Sequence, residues 1–155
     1  MDYQLRGNRV SPMHIEDIRA RALKVAKAFK INKRNKRNLE DSFEALSMYG
    51  ITLSVLPDDE WLGFTRGHYD PASLTITVPS KIYEGACDGE QDALFVMLHE
   101  LGHLFLLHKA VLHCADTIPT QSEDAEWQAD SFADVILEHL GYQTQQLSFE
   151  FGIQM

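Results

Sequence analysis

The chain has 155 residues, 45% of them hydrophobic, and a formal net charge of −9. That is enough apolar material for one domain with a sizeable core, and the acidic balance argues against broad nucleic-acid binding. No apolar run reaches membrane-spanning length, residues 1–7 lack the apolar stretch of a signal peptide, and two cysteines, Cys87 and Cys114, are too few for a disulfide framework. A single cytoplasmic domain over residues 1–155 is expected, its core at about 12–141 between two tails, with no membrane partner.

In chain order, Ser11 or Pro12 opens a helix to about Phe29, with Ile15, Ile18, Ala22, Val25, Ala26 and Phe29 at helical spacing. Residues 30–37 are strongly basic. Lys33, Arg34, Lys36 and Arg37 are candidate nucleic-acid contacts through charge neutralisation; the plainer reading is a solvated connection between helices. Asn38 caps a second helix, with Phe43, Leu46 and Met48 facing the core and Gly50 as its stop. Residues 51–56 alternate apolar and polar and read as a strand. Residues 62–65 and 74–78 read as two more, joined through the turn chemistry of Asp70 and Pro71.

Residues 91–108 are apolar almost all round, contain no proline, and carry Gly102 as their only glycine. This fits a helix buried in the core. Gly102 costs about 1 kcal/mol there relative to alanine; close approach of another element would account for it. Residues 109–121 link this helix to the last one and are placed at the rim of a cleft. Ser122 reads as the cap of that last helix, with Glu123 and Asp124 in its first turn. Trp127, Phe132, Val135, Ile136 and Leu140 then recur at helical spacing, and Gly141 ends it. Residues 147–151 read equally well as a strand or a tail. The fold class is therefore α+β: N-terminal helices, a sheet of about three strands, and two packed C-terminal helices.

The chemistry sits on those two helices. His99-Glu100-Leu101-Gly102-His103 places two imidazoles four residues apart, on one face of a helix, so both reach one metal ion. Glu100 is within reach of a water on that metal, the H-E-x-x-H arrangement of zinc peptidases. The alternative is a core helix whose histidines bond to backbone carbonyls. A zinc site needs a third protein ligand and an open position. Glu126 is the candidate. Asp130, one turn on, would accept the free ring N–H of a ligand histidine and fix its tautomer. A merely solvated acidic face is the competing reading, since Glu123, Asp124 and Asp134 are close in sequence.

His99-Glu100-Leu101-Gly102-His103 followed by Glu126-x-x-Ala129-Asp130-x-Phe132-Ala133 resembles the ImmA/IrrE family of bacterial and phage metallopeptidases. The resemblance runs roughly from Ile15 to Leu140. One departure is Val135-Ile136-Leu137-Glu138, where family members often carry a Met-Pro pair. The resemblance implies a zincin-like domain with His99, His103 and Glu126 holding one zinc ion per chain and Glu100 as general base. Mn or Fe suits the same donors. A further donor for the oxyanion is open among His68, Tyr69, Tyr83 and His113.

The short domain, the basic run and Cys114 beside His113 are similar to the CapP-type proteases of antiphage operons. That similarity implies cleavage of a helix-turn-helix repressor, triggered by single-stranded DNA, with Cys114 as a candidate inhibitory zinc ligand. The expected function is a zinc endopeptidase in transcription regulation. The alternatives are a non-catalytic, metal-stabilised binding or antitoxin-like module that senses DNA or a protein partner, and a hydrolase of small substrates.

Overall fold

The computed structural model describes residues 2–61, 65–107 and 117–144. Helix α1 spans Ile15–Ala28 and α2 spans Glu40–Glu44, continued by a 3-10 segment, Ala45–Tyr49. Three strands follow, β1 (Thr52–Leu56), β2 (His68–Asp70) and β3 (Thr75–Pro79). Helices α3 (Ser80–Cys87), α4 (Gln91–Phe105) and α5 (Ala125–His139) complete the described chain. The architecture is mixed α+β. No helix among the described residues is long and apolar enough to cross a membrane.

The sheet has the order β1-β3-β2, with β1 parallel and β2 antiparallel to β3. Ile76 and Val78 on the central strand are fully buried and face the helices. The β2–β3 turn is built as the sequence suggests: Asp70 Oδ1 accepts from Ala72 N at 3.0 Å and Asp70 Oδ2 from Ser73 Oγ at 2.8 Å. The strand leading into it is His68–Asp70 rather than 62–65. Thr65 is not in a strand, and residues 62–64 lie outside the described residues.

The core is a slab between α1, α4 and α5, closed by the sheet and α3. Ile18, Phe43, Leu94, Met97, Leu98, Leu101, Phe132 and Ile136 are all buried in it. An α4 that is apolar on every side is stable because α3 covers one side and α5 the other.

Four expectations are corrected. Helix α1 begins at Ile15, with His14 at its cap, because residues 10–13 are still pairing with the segment before α5: Val10 N donates to Glu123 O and Met13 N to Ser122 O. Leu39, not Asn38, precedes α2. Met48 is 82% exposed. The tighter 3-10 winding keeps Leu46 in line with Phe43 and turns Met48 to solvent. The cap of α5 is Asp124, whose carboxylate accepts from Glu126 N, while Ser122 lies in a 3-10 turn closed by a Thr120–Glu123 capping box. Helix α3 was not anticipated. At eight residues, with Gly85 in its interior, it has too little periodicity and propensity to stand out. The stops at Gly50 and Gly141 are as expected, both with positive φ.

Candidate metal centre

His99 and His103 lie one turn apart on α4, and Glu126 faces them from the first turn of α5. Glu126 Oε1 is 3.2 Å from His99 Nε2, Glu126 Oε2 is 2.8 Å from His103 Nε2, and the two Nε2 atoms are 3.1 Å apart. These three are the described residues whose donor atoms cluster closely enough for one metal ion. Four ligands around zinc at 2.0–2.1 Å sit about 3.3 Å from one another, so the donor triangle has the size of one tetrahedral face. The helices reach this spacing because position 102 has no side chain. A Cβ on Gly102 would stand 3.1 Å from the Ala129 backbone and from Phe132 Cβ.

The hydrogen bonds around the triangle are compatible with a cation. His99 Nδ1 donates to Asp130 Oδ1 at 2.8 Å, which leaves a lone pair on Nε2 in the neutral ring. That lone pair points at a carboxylate oxygen and a second imidazole nitrogen. Such a triangle needs a shared proton or a metal ion between its atoms. Burial opposes charge on His99, yet its hydrogen bonds to Asp130 and Glu126 push it up to about 10. Hydrogen bonds from His103 and His99 hold Glu126 well below the usual carboxylate range, against its burial. The donors thus fit a divalent cation, and Asp130 stands where it would fix the tautomer of His99.

Glu100 is buried, at 6% exposure, and burial raises its pKa. It lines a cleft of about 430 Å³ together with His99, His103, Glu126, Gly67, His68, Tyr69 and Arg6. Gly67 presses on it; a Cβ there would come within 3.2 Å of Glu100 Oε2. Of the candidate oxyanion donors, His68 and Tyr69 line the cleft. Tyr83 does not: it lies on α3, packs on Phe43, and donates to Glu44 Oε2 at 2.9 Å. His113 and Cys114 lie outside the described residues, as does most of the 109–121 connection.

The segment ahead of α1 also reaches the cleft. Residues 3–10, expected to be a tail, cross the N-terminal end of α5 and form one wall of the cleft. Their anchor is the buried Asp124. It accepts from Tyr3 Oη at 2.7 Å, Arg6 N at 2.8 Å, Gly7 N at 3.2 Å and Glu126 N at 2.9 Å. Arg9 adds a contact with Glu123 at 3.0 Å. Gly7 lies flat on the Glu126 side chain, where a Cβ would stand 2.6 Å from Glu126 Cγ. No local pattern could reveal these contacts, which span more than a hundred residues.

The basic run lies elsewhere, against the C-terminal end of α5. Lys36 Nζ donates to Leu140 O at 3.2 Å and sits 4.6 Å above the Tyr142 ring. Lys33, Arg34 and Arg37 are exposed. Compared with protein-family models, curated proteins and solved structures, the chain gives no significant match.

Proposed function

We propose that the chain is a zinc-dependent peptidase of the zincin-like kind. The observation that carries this is the convergence of two imidazole nitrogens and one carboxylate into a triangle of 2.8–3.2 Å sides, with a buried glutamate beside it in an open cleft. A purely structural zinc site is closed by four protein ligands and needs no general base. Within that class, the paired motifs favour the ImmA/IrrE metallopeptidases, and with them a cytoplasmic setting, a helix-turn-helix repressor as substrate and single-stranded DNA as effector.

His99, His103 and Glu126 would hold one zinc ion. Bound there, the ion supplies a positive charge that acidifies water and polarises a peptide carbonyl. Glu100 takes the proton from the attacking water and passes it to the leaving amine. Its raised pKa suits that exchange, since a base must also release the proton as an acid. Asp130 keeps His99 in the tautomer that leaves Nε2 free to ligate. His68 and Tyr69, which line the cleft, would be the donors within reach of the carbonyl oxygen as it gains charge.

The test pairs metal content with turnover. Wild type should carry about one zinc per chain and cleave a helix-turn-helix repressor at one position. Glu100→Gln should keep zinc and fold but lose cleavage by about a hundredfold or more. Protein that takes up no zinc would sink the peptidase reading. A Glu100→Gln variant with full biological activity would favour the binding module instead.

A further inference from the structure

The carboxylate that orients His99 is itself held by a residue from the start of the chain. Asp130 Oδ1 accepts from His99 Nδ1 at 2.8 Å, and Asp130 Oδ2 meets Arg6 Nη2 at 2.9 Å. The two oxygens are thus divided, one for the ligand and one for the guanidinium. We propose that Arg6 is a positioning residue of the metal centre, acting through an Arg6–Asp130–His99 relay. The proposal rests on the peptidase reading above.

Three features support the relay. The backbone around Arg6 is fixed independently of its side chain, since Arg6 N and Gly7 N both donate to Asp124. The guanidinium therefore starts from a held position and loses little freedom in reaching Asp130. Arg6 also lines the cleft, on the same wall as Glu126. Finally, the two carboxylate oxygens of Asp130 have separate partners, and the guanidinium on Oδ2 holds the side chain in one rotamer, so that Oδ1 stays on the imidazole. Losing a carboxylate partner of a ligand histidine costs about 10–100-fold in metal affinity. An arginine one step further out should stand near the lower end.

The experiment is zinc affinity by competition with a chromophoric chelator, on the whole chain, for wild type, Arg6→Gln, Arg6→Lys and Arg9→Gln. Arg9 ties the same segment to Glu123 without touching Asp130, so it reports what merely loosening the segment does. We expect Arg6→Gln to weaken zinc about tenfold, Arg6→Lys to recover most of that, and Arg9→Gln to stay within about twofold. Circular dichroism of the metal-free forms checks that each variant is folded; should Arg6→Gln fail that check, the Lys and Arg9 variants decide the matter. Equal losses for Arg6→Gln and Arg9→Gln, or an Arg6→Lys no better than Arg6→Gln, would reduce Arg6 to a structural tether. Unchanged affinity in Arg6→Gln would overturn the relay outright. Wild type that takes no zinc would instead overturn the peptidase reading.

Discussion

The two ends of α5 are held by opposite means. At the N-terminal end an anionic hub, Asp124, collects donors from residues 3–7 and from the helix itself. At the C-terminal end a cation, Lys36, donates to Leu140 O and rests on Tyr142. Both match the helix dipole, which favours negative charge at the start and positive charge at the end. Only the first end carries a candidate ligand. Glu126 is the second residue of α5, so whatever fixes the helix start also fixes the third candidate ligand. The difference teaches that long-range polar contacts at a helix terminus serve as scaffold or as site support depending on what the first or last turn carries.

The largest effect should come from the ligand itself. Glu126→Ala should lower zinc content from about one per chain to near zero, with affinity down about a hundredfold or more. The fold should persist, because Glu126 is part-exposed and contributes little to the core. A variant that keeps its zinc would detach the acidic end of α5 from the metal and erase the contrast between the two ends.

Next comes the hub. Asp124→Ala removes a helix cap and leaves the backbone donors of Arg6, Gly7 and Glu126 with one partner fewer. The expected loss is about 2 kcal/mol of unfolding free energy, read by urea denaturation of the metal-free protein. Zinc affinity should fall with it, since the start of α5 frays. Stability lost with zinc binding untouched would show that Asp124 is scaffold only, like Lys36. For Lys36→Ala the same measurement should give about 1 kcal/mol or less, shrinking at high salt, with zinc affinity unmoved.

How much of this was legible in the sequence depends on range. His99, Glu100 and His103 could be placed because a helix fixes their spacing by itself. Glu126 and Asp130 could be placed because they too are one turn apart, and Gly102 announced the close crossing that the Ala129 backbone provides. The β2–β3 turn was legible because Asp70 makes its own local hydrogen bonds. Arg6, Gly7, Gly67 and Asp124 were not. Their roles arise from contacts between distant segments, and nothing near them in sequence signals a partner. Met48 was misplaced for a subtler reason: a 3-10 turn and an α-turn look alike in a short apolar run, yet they send the fifth residue to different sides.

The basic run was read as one unit, and the structure divides it. Lys36 is committed to the end of α5, whereas Lys33, Arg34 and Arg37 are exposed. If the run contacts single-stranded DNA, those three carry the contact, and stability should not register their loss. The triple variant Lys33→Ser, Arg34→Ser, Arg37→Ser should unfold within about 0.5 kcal/mol of wild type. Each phosphate contact on a single strand contributes about 0.7 to the slope of log affinity against log salt. Three lost contacts should therefore flatten that slope by about 2. A triple variant with unchanged affinity and slope would remove nucleic acid from the account of this surface. Lys36→Ala, tested beside it, should behave in the reverse way, losing stability while leaving the salt slope nearly intact, because its charge is already spent on a carbonyl and an aromatic ring.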